Sequence, residues 1–396
     1  MATLPETSSG AESGGPPDQR PWQATIAPRV FWPSAIIIAV FLIFTILAPG
    51  TAEKILAGAR DGISSWFGWY YTFLVSAFVV FSLWVGLGHF GDIKLSPKDE
   101  KPEFTMGSWL AMLFAAGMGI GLVFFGVAEP LFHFASPKPG VEGSGAQLAD
   151  ASMVQTYLHW GIHPWAIYVV VGLAVAYSVH RKGRPISIRW ALEPLFGDRV
   201  KGWLGDVIDI TAIVGTLFGV ATSLGLGVIQ IAAGLDFLGI VQNPGNWTLV
   251  LLIGGITGLA IFSVVSGVRK GIKWLSQINM GLAGALLLFV LIVGPTLFLL
   301  RESVSALGLY LQNLLQMSFD TTAMASAEGA AWQASWTAFY WGWWISWAPF
   351  VGVFIARISR GRTIREFVAG VLLVPTVFTF LWFSVFGGAA LYRELF

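Results

Sequence analysis

The sequence predicts an all-α integral membrane protein, and three observations support this fold class. Hydrophobic residues make up 55% of the 396 residues and charged residues only 11%, and the mean hydropathy is +0.71. Soluble domains carry about 25% charged residues. Long apolar runs recur along the chain, and the basic residues concentrate in alternate loops between them. Lipid is therefore the expected solvent for most of the surface.

Nine apolar runs are long enough to form helices that cross about 30 Å of hydrocarbon. They lie at 30–49, 64–90, 105–134, 152–180, 203–237, 247–268, 274–299, 335–357 and 364–392. Residues 303–319 mix Leu with Ser, Gln and Asn. We expect this segment to be an amphipathic helix along the membrane interface and not a tenth span.

The loops between the runs predict a cytoplasmic N-terminus. When the N-terminal tail is placed inside, the inner segments contain 18 of the 23 Lys and Arg residues and the outer segments contain 5. Short loops rich in Lys and Arg stay on the cytoplasmic side of a membrane. We therefore expect a multi-pass protein of the bacterial inner (plasma) membrane.

Other functional classes receive little support from the sequence. The net charge of +1 does not point to nucleic acid, and the absence of cysteine excludes disulfides and thiolate metal sites. No nucleophile, base and acid arrangement and no phosphate loop stands outside the apolar runs, so an enzyme is not expected. Residues 1–29 are rich in Ser, Gly and Pro without an apolar stretch. A disordered cytoplasmic tail is expected there, without a cleavable signal peptide.

Three alternating glycines, Gly117, Gly119 and Gly121, stand in the middle of the third run. Each lowers helix stability by about 1 kcal/mol relative to Ala. Close helix packing through Gly117 and Gly121 is one explanation. Three glycines within five residues favour another, a locally unwound helix whose free backbone groups line a cavity.

Aromatic residues cluster at mid-membrane depth in the fourth and eighth runs. In the fourth run, Pro164 is expected to bend the helix and so let Trp160 and Trp165 face one cavity. Trp165 and Tyr168 lie about 20 Å or more into the run, which is too deep for an interfacial aromatic belt. The eighth run carries Trp344 close to mid-depth, among Trp336, Phe339, Tyr340, Trp341, Trp343 and Trp347. Because Trp faces hold cations that cannot donate hydrogen bonds, these residues predict an aromatic cage for a quaternary ammonium group.

Ionisable residues are scarce in the same central stretches. Glu129, toward the outer end of the third run, is either a proton or ion residue or a structurally paired side chain. His133, His159 and His163 could shuttle protons, but buried imidazoles hydrogen-bonded to neighbours are the expected outcome. The lack of acidic ligands argues against a metal or polyamine site.

In these motifs the chain resembles the betaine/carnitine/choline transporter family, and the resemblance covers nearly everything from about residue 30 onward. The matching motifs are Ala115–Gly121, Glu129–Leu131, His159–Tyr168, Phe339–Trp347 and Ala356–Phe367. The resemblance implies a core of the leucine-transporter type, with two inverted five-helix repeats, and usually a homotrimer. Its implied function is secondary active import of a quaternary-ammonium osmolyte, above all glycine betaine.

The resemblance also divides the chain into segments. Residues 30–104 would form two peripheral transmembrane helices and 105–299 the first five-helix repeat. Residues 300–334 would form a periplasmic interfacial segment. Residues 335–396 would supply the first two helices of the second repeat, which is therefore expected to be truncated.

A substrate site follows from the same resemblance. The substrate box would comprise Trp160, Trp165, Tyr168 and Trp344. The unwound segment with Gly117, Gly119 and Gly121 would contact the substrate carboxylate. The substrate pathway would be lined by Phe339 and Trp343 toward the outside and by Trp347 toward the inside.

Sodium is the coupling ion that the resemblance implies. One ion would be held by the carbonyl groups of Ala115 and Met118. A second would use Thr216, with a contribution near Phe350, but Val220 stands where a second threonine is expected, and Ser223 is the nearby substitute.

Two alternatives remain open at this stage. Proton-coupled choline members of the family tend to carry Asp at the position of Gly121, so glycine at this position favours a betaine-like zwitterion. A proton-coupled carrier of choline or a related osmolyte is one alternative. A non-transporting truncated paralogue or receptor with the same cage is the other.

Overall fold

The computed structural model describes residues 26–97, 100–117, 119–265 and 273–396. Within these ranges the secondary-structure elements are all helices, and the single β-type pairing is an isolated bridge between Lys94 and Thr363. The predicted tail lies almost wholly outside the described residues, as do the predicted sodium ligand Met118 and the basic residues Arg20, Lys98, Arg269 and Lys270. An all-helical protein is thus confirmed for the described part of the chain.

The α-helices are numbered here in chain order. The first seven are α1 (Pro28–Leu47), α2 (Pro49–Leu87), α3 (Met106–Gly117), α4 (Ile120–Ala135), α5 (Gly145–Trp160), α6 (Ile162–Ala176) and α7 (Glu193–Phe196). The others are α8 (Trp203–Phe237), α9 (Asn246–Val265), α10 (Lys273–Val293), α11 (Thr296–Ser318), α12 (Ala327–Gln333), α13 (Phe339–Ile358) and α14 (Ile364–Leu395). Short 3-10 turns occupy His89–Asp92, Ile188–Leu192 and Gly197–Lys201, and π-helical turns occupy Tyr177–Arg181 and Ala334–Ala338.

Five helical stretches of the described residues are long and apolar enough to cross a membrane, or seven if each of two bent pairs is one span. The five are Pro28–Leu47, Pro49–Leu87, Gly145–Arg181, Trp203–Phe237 and Ile364–Leu395. The predicted eighth run corresponds to α13, whose many Trp and Tyr residues lower its hydropathy because their rings carry polar atoms. The count of nine spans and the inverted repeat stay predictions.

Two helix interruptions shape the middle of the molecule. The third run is divided into α3 and α4, whose axes, taken over Met106–Ala115 and Ile120–Ala135, meet at 61°. The interruption lies among the three glycines, and Gly119 has an extended backbone at the start of α4. The fourth run is interrupted at Gly161, between α5 and α6. Pro164 follows the interruption by three residues and lies in the first turn of α6. That Pro164 bends this helix stays a prediction.

The helix α11 leaves α10 at a sharp angle. The axis of Thr296–Ser318 is turned by 111° from that of Gln277–Val293. The amphipathic segment predicted at 303–319 is therefore the larger part of a longer helix that runs across the direction of α10. Its placement at the membrane interface stays a prediction.

The densest packing lies where α4, α5 and α6 meet α13 and α14. Large side chains there are fully buried, among them Trp341, Trp382, Tyr340, Phe367 and Phe383. By contrast α1, α2, α9 and α10 expose many Ile, Leu, Val and Phe side chains. Such a surface fits lipid and not water.

The turn between α13 and α14 is tied to the segment before α3. Arg357 pairs with Glu103 at 2.8 Å, and Arg360 pairs with Glu100 at 2.7 Å. Arg362 is buried, with its guanidinium 4.8 Å from the Trp109 ring centroid and an N–H donated to the Phe104 carbonyl at 2.7 Å. These contacts fix the start of α3 against α13 and α14, and so the position of the glycine interruption.

Candidate functional site

The helices α4, α5, α6, α8, α13 and α14 enclose a cavity of about 70 Å³, called the aromatic cavity here. Its walls are formed by Gly119, Gly121, Leu122, Trp160, Pro164, Trp165, Tyr168, Ser223, Trp343, Trp344, Trp347, Val351 and Thr379. All four residues predicted for the substrate box line this one cavity. Two of the three predicted glycines also line it, and Gly117 ends α3 beside them.

The glycine interruption makes room for the aromatic rings. A Cβ atom added at Gly121 would lie 3.0 Å from Cη2 of Trp160 and 3.1 Å from Cη2 of Trp343. At Gly119 a Cβ atom would meet nothing within 4 Å. Gly121 is therefore required for the close approach of two indoles, whereas Gly119 serves the extended backbone at the start of α4.

The Trp rings of α5 and α13 pack against each other around the cavity. Trp343 and Trp344 stack with centroids 4.8 Å apart and planes at 10°. Trp160 meets Trp344 edge to face at 4.9 Å and 73°. Trp165 and Tyr168 form a second edge-to-face pair at 5.4 Å. Indole faces at different orientations thus border a single space.

Hydrogen bonds hold two of these rings in place. The Trp344 indole donates to the His159 carbonyl at 3.0 Å, and the Trp160 indole donates to Oε2 of Glu129 at 2.6 Å. The indole N–H groups of Trp343 and Trp347 are buried without a hydrogen-bond partner in the described residues. Buried donors are normally paired, so both groups are unusual; the Nε1 edge of Trp347 lies against Gly219 on α8, which is outside the lining of the aromatic cavity.

The chemistry of the lining favours a methylated cation. No acidic side chain is among the residues that line the aromatic cavity in the described part of the chain. A cation that keeps N–H groups would have to give up hydrogen bonds to water there. A quaternary ammonium group has none to lose and gains attraction from the indole faces.

A larger cavity, called the side cavity here, lies between α2, α8 and α13 and measures about 290 Å³. Its walls include Arg60, Tyr71, Gly219, Thr222, Phe339, Gly342, Trp343 and Ser346. Trp343 lines both cavities, and Phe339 packs against it at 5.9 Å. Of the residues predicted for the substrate pathway, Phe339 thus lies on the side cavity, Trp347 on the aromatic cavity, and Trp343 between the two.

Comparison with known proteins identifies the family of this chain. The family model described as betaine/carnitine/choline family transporter matches residues 29–396. The chain belongs to this transporter family.

The relatives of this chain include a glycine betaine transporter, a choline transport protein and an uncharacterized transporter. The glycine betaine transporter OpuD of Bacillus subtilis is 49% identical over 362 residues, which cover 91% of this chain and 70% of that protein. The high-affinity choline transport protein of Escherichia coli is 43% identical over 368 residues, covering 93% of this chain and 54% of that protein. An uncharacterized transporter of Mycobacterium tuberculosis is 54% identical over 373 residues. The chain covers 62% of the length of that protein.

The predicted sodium residues of this family member are not all in one place. Ser223 lines the aromatic cavity, whereas Thr216 lies on α8 outside its lining. Phe350 is 53% exposed on α13 and packs edge to face on Trp347 at 5.7 Å. Ala115 lies near the end of α3, and Met118 falls outside the described residues. The sodium sites therefore stay predictions.

Two features of the site were missed or left open by sequence reasoning. Thr379, on α14, lines the aromatic cavity and is buried. Its spacing of three residues from Thr376 in an apolar helix was the available signal, because two hydroxyls on one helix face mark a polar wall. Glu129, whose role the sequence left open, is fully buried and bonded to Trp160.

Proposed function

We propose that this chain supplies the substrate-binding part of a secondary active transporter that imports a quaternary-ammonium osmolyte, with glycine betaine as the substrate. The observation that carries the proposal is the convergence of Trp160, Trp165, Tyr168 and Trp344 on one cavity without acidic lining. The name of the Bacillus subtilis relative supports the substrate.

A zwitterion fits the polar groups of the cavity better than choline does. The indole N–H group of Trp343, which has no partner in the described residues, can donate to a carboxylate. The backbone at Gly119 is extended and open to the cavity. A choline hydroxyl can accept such hydrogen bonds too, but only a carboxylate is a charged acceptor, and charge-assisted hydrogen bonds are roughly twice as strong.

Coupling to sodium and the topology belong to the same proposal. We place the N-terminus in the cytoplasm and the protein in the bacterial inner membrane, as a homotrimer with the inverted-repeat core of its family. Alternating access would then come from one helix bundle rocking against the other around the aromatic cavity.

The decisive test is a substitution of Trp344 with a matched control. Trp344→Ala removes one indole face, worth about 2 kcal/mol for a desolvated cation or about thirtyfold in affinity. We expect binding of labelled glycine betaine by the chain in nanodiscs, and its uptake into proteoliposomes, to fall at least that far. Trp69→Ala is the control, since the Trp69 side chain is 59% exposed on α2. Equal binding by both variants would count against the box.

Coupling and mechanism need separate measurements. Uptake should stop when sodium is replaced by potassium, whereas uptake that persists and follows a proton gradient would assign proton coupling, as in the choline alternative. Preloading with unlabelled betaine should accelerate entry of the labelled compound. A receptor with the same cage would bind betaine but show no such counterflow.

A further inference from the structure

Glu129 is the centre of a buried hydrogen-bond network directly behind the aromatic cavity. Its Oε1 accepts from Nδ1 of His159 at 2.7 Å and from Nε2 of His133 at 3.3 Å. Its Oε2 accepts from the Trp160 indole at 2.6 Å and from the Tyr340 hydroxyl. A carboxylate offers about four lone-pair sites, and four donors occupy them. The geometry is that of an ionised and saturated carboxylate.

Three of the four donors around Glu129 are neutral: the Trp160 indole, the Tyr340 hydroxyl and the His159 ring. Indole and phenol carry no positive charge. Nε2 of His159 lies 3.1 Å from the Gln155 amide nitrogen and 3.1 Å from the Thr337 hydroxyl, so it accepts a hydrogen bond while Nδ1 keeps the ring's single proton. These three partners therefore stabilise the negative charge of Glu129 by hydrogen bonds without cancelling it.

A metal ion is a poorer explanation for this cluster. Ligand atoms of Glu129, His133 and His159 do lie within 4.8 Å of one another. However, both carboxylate oxygens already accept two hydrogen bonds each, and one of the donors is an indole that has no acceptor form. A metal would have to displace these donors and leave them unpaired in a buried site.

Several rings of the aromatic cavity are held by this network. The Trp160 indole is bonded to Glu129 at its N–H, and its ring lines the cavity. Tyr340, also bonded to Glu129, lies 6.0 Å from the Trp343 centroid and 5.8 Å from that of Trp344. The carboxylate thus lies one indole away from the space where a ligand would bind.

We propose that Glu129 is a positioning and specificity-determining residue: it fixes the edge of Trp160 and places a buried negative charge behind that ring, so the cavity selects a quaternary ammonium group over a neutral group of the same shape. The inference rests on the proposed function and deepens it. The indole faces already attract a cation through their quadrupoles, and the buried charge behind Trp160 adds to that preference for positive charge.

The size of the effect follows from distance. A cation within about 6 Å of the Trp160 centroid lies on the order of 8 Å from a carboxylate bonded to the ring edge. With an effective dielectric constant of about 20, two unit charges at that separation attract enough to change affinity by about thirtyfold, or about 2 kcal/mol.

The test compares two ligands that differ in one atom. Glycine betaine and 3,3-dimethylbutanoate share the carboxylate and the shape, but the second carries carbon in place of the quaternary nitrogen. Binding is measured with the chain in nanodiscs, by labelled betaine and its competition. In Glu129→Gln we expect betaine to bind about thirtyfold more weakly and the neutral-headed analogue to change less than threefold. Repulsion of the shared carboxylate cancels in the ratio of the two affinities.

Controls separate charge from structure. Glu142→Gln makes the same change at an exposed carboxylate in the loop before α5, outside the lining of the cavity, and should leave both affinities unaltered. Glu129→Asp keeps the charge, so its preference for betaine should stay within about threefold of wild type even if both ligands bind more weakly. The same outcome is required should Glu129→Gln fail to fold.

Three results would overturn the inference: an equal loss for both ligands in Glu129→Gln, no loss for either, or a lost preference in Glu129→Asp. Each would leave Glu129 with no charge-specific role. Failure of the wild-type chain to bind betaine would instead refute the proposed function itself.

Discussion

Replacing Gly121 with alanine tests whether the glycine interruption shapes the cavity. The added Cβ atom would lie 3.0 Å from the tip of the Trp160 ring and 3.1 Å from that of Trp343. Carbon atoms in contact prefer about 3.5–4.0 Å. Both rings must therefore move by several tenths of an ångström, into the space that the substrate would use.

The expected effect on binding is larger than the effect on folding. Overpacking costs about 1–3 kcal/mol, while alanine in place of glycine within a helix returns up to about 1 kcal/mol. Gly121 lies in the first turn of α4, so the helix gain offsets part of the cost and a net loss of up to about 2 kcal/mol in stability remains. Displaced rings no longer match the ligand, and 1–3 kcal/mol corresponds to roughly 5- to 150-fold weaker betaine binding.

The assay measures betaine binding and thermal unfolding on the same purified samples. Gly225→Ala on α8 is the matched control, because a Cβ atom there would meet nothing within 4 Å. We expect normal binding for Gly225→Ala. For Gly121→Ala we expect weakened binding, with the unfolding midpoint lowered by the equivalent of no more than about 2 kcal/mol. Binding within twofold of wild type in Gly121→Ala would refute the reasoning about ring clearance.

Three further predictions concern the surroundings of the cavity. Thr379→Val keeps the shape of the side chain but removes a hydroxyl from the lining of the aromatic cavity, so betaine should bind about fivefold more weakly in the nanodisc assay. Unchanged affinity would show that this hydroxyl does not contribute to betaine binding. Arg362→Met removes the contact with Trp109 and leaves a carbonyl unpaired, so the unfolding midpoint should fall by an amount equivalent to about 1–3 kcal/mol; an unshifted midpoint would contradict this. Burial acts to raise the pKa of Asp320, but hydrogen bonds and the charge of Lys138, 2.5 Å away, bring that pKa below its ordinary value. The Lys138 pair therefore stabilises the fold above the unfolded carboxyl pKa of about 3.9 and less as pH falls below it. The difference in unfolding midpoint between wild type and Asp320→Asn should shrink below about pH 4, and a difference constant with pH would exclude the pair.

What could be predicted from the sequence depended on whether the determining interactions were local. The interruption around Gly119 follows from the weak helix propensity of successive glycines, which needs no partner. The depth of Trp165 and Trp344 follows from counting residues along apolar runs. The convergence of these side chains was predicted from their similar depth and from the family resemblance.

Features that depend on distant partners escaped prediction. Pro164 was expected to bend the fourth run, but the sequence does not reveal that the interruption falls at Gly161, where Phe380 of α14 packs closely. The role of Glu129 was left open because its partner Tyr340 is 211 residues away along the chain. The predicted pairing of buried histidines was confirmed for His159, although its bonding to this carboxylate could not be derived from spacing.

One indole separates the two cavities, since Trp343 lines both. Trp343 stacks on Trp344 at 4.8 Å. A solute that moves between the side cavity and the aromatic cavity at this point must therefore separate the two rings. Trp343 thus separates the two cavities and also forms part of the wall that a ligand in the aromatic cavity would contact. A solute that entered the aromatic cavity from the side cavity would displace Trp343, which is part of its own binding surface. That surface would form again when Trp343 returned to its place against Trp344.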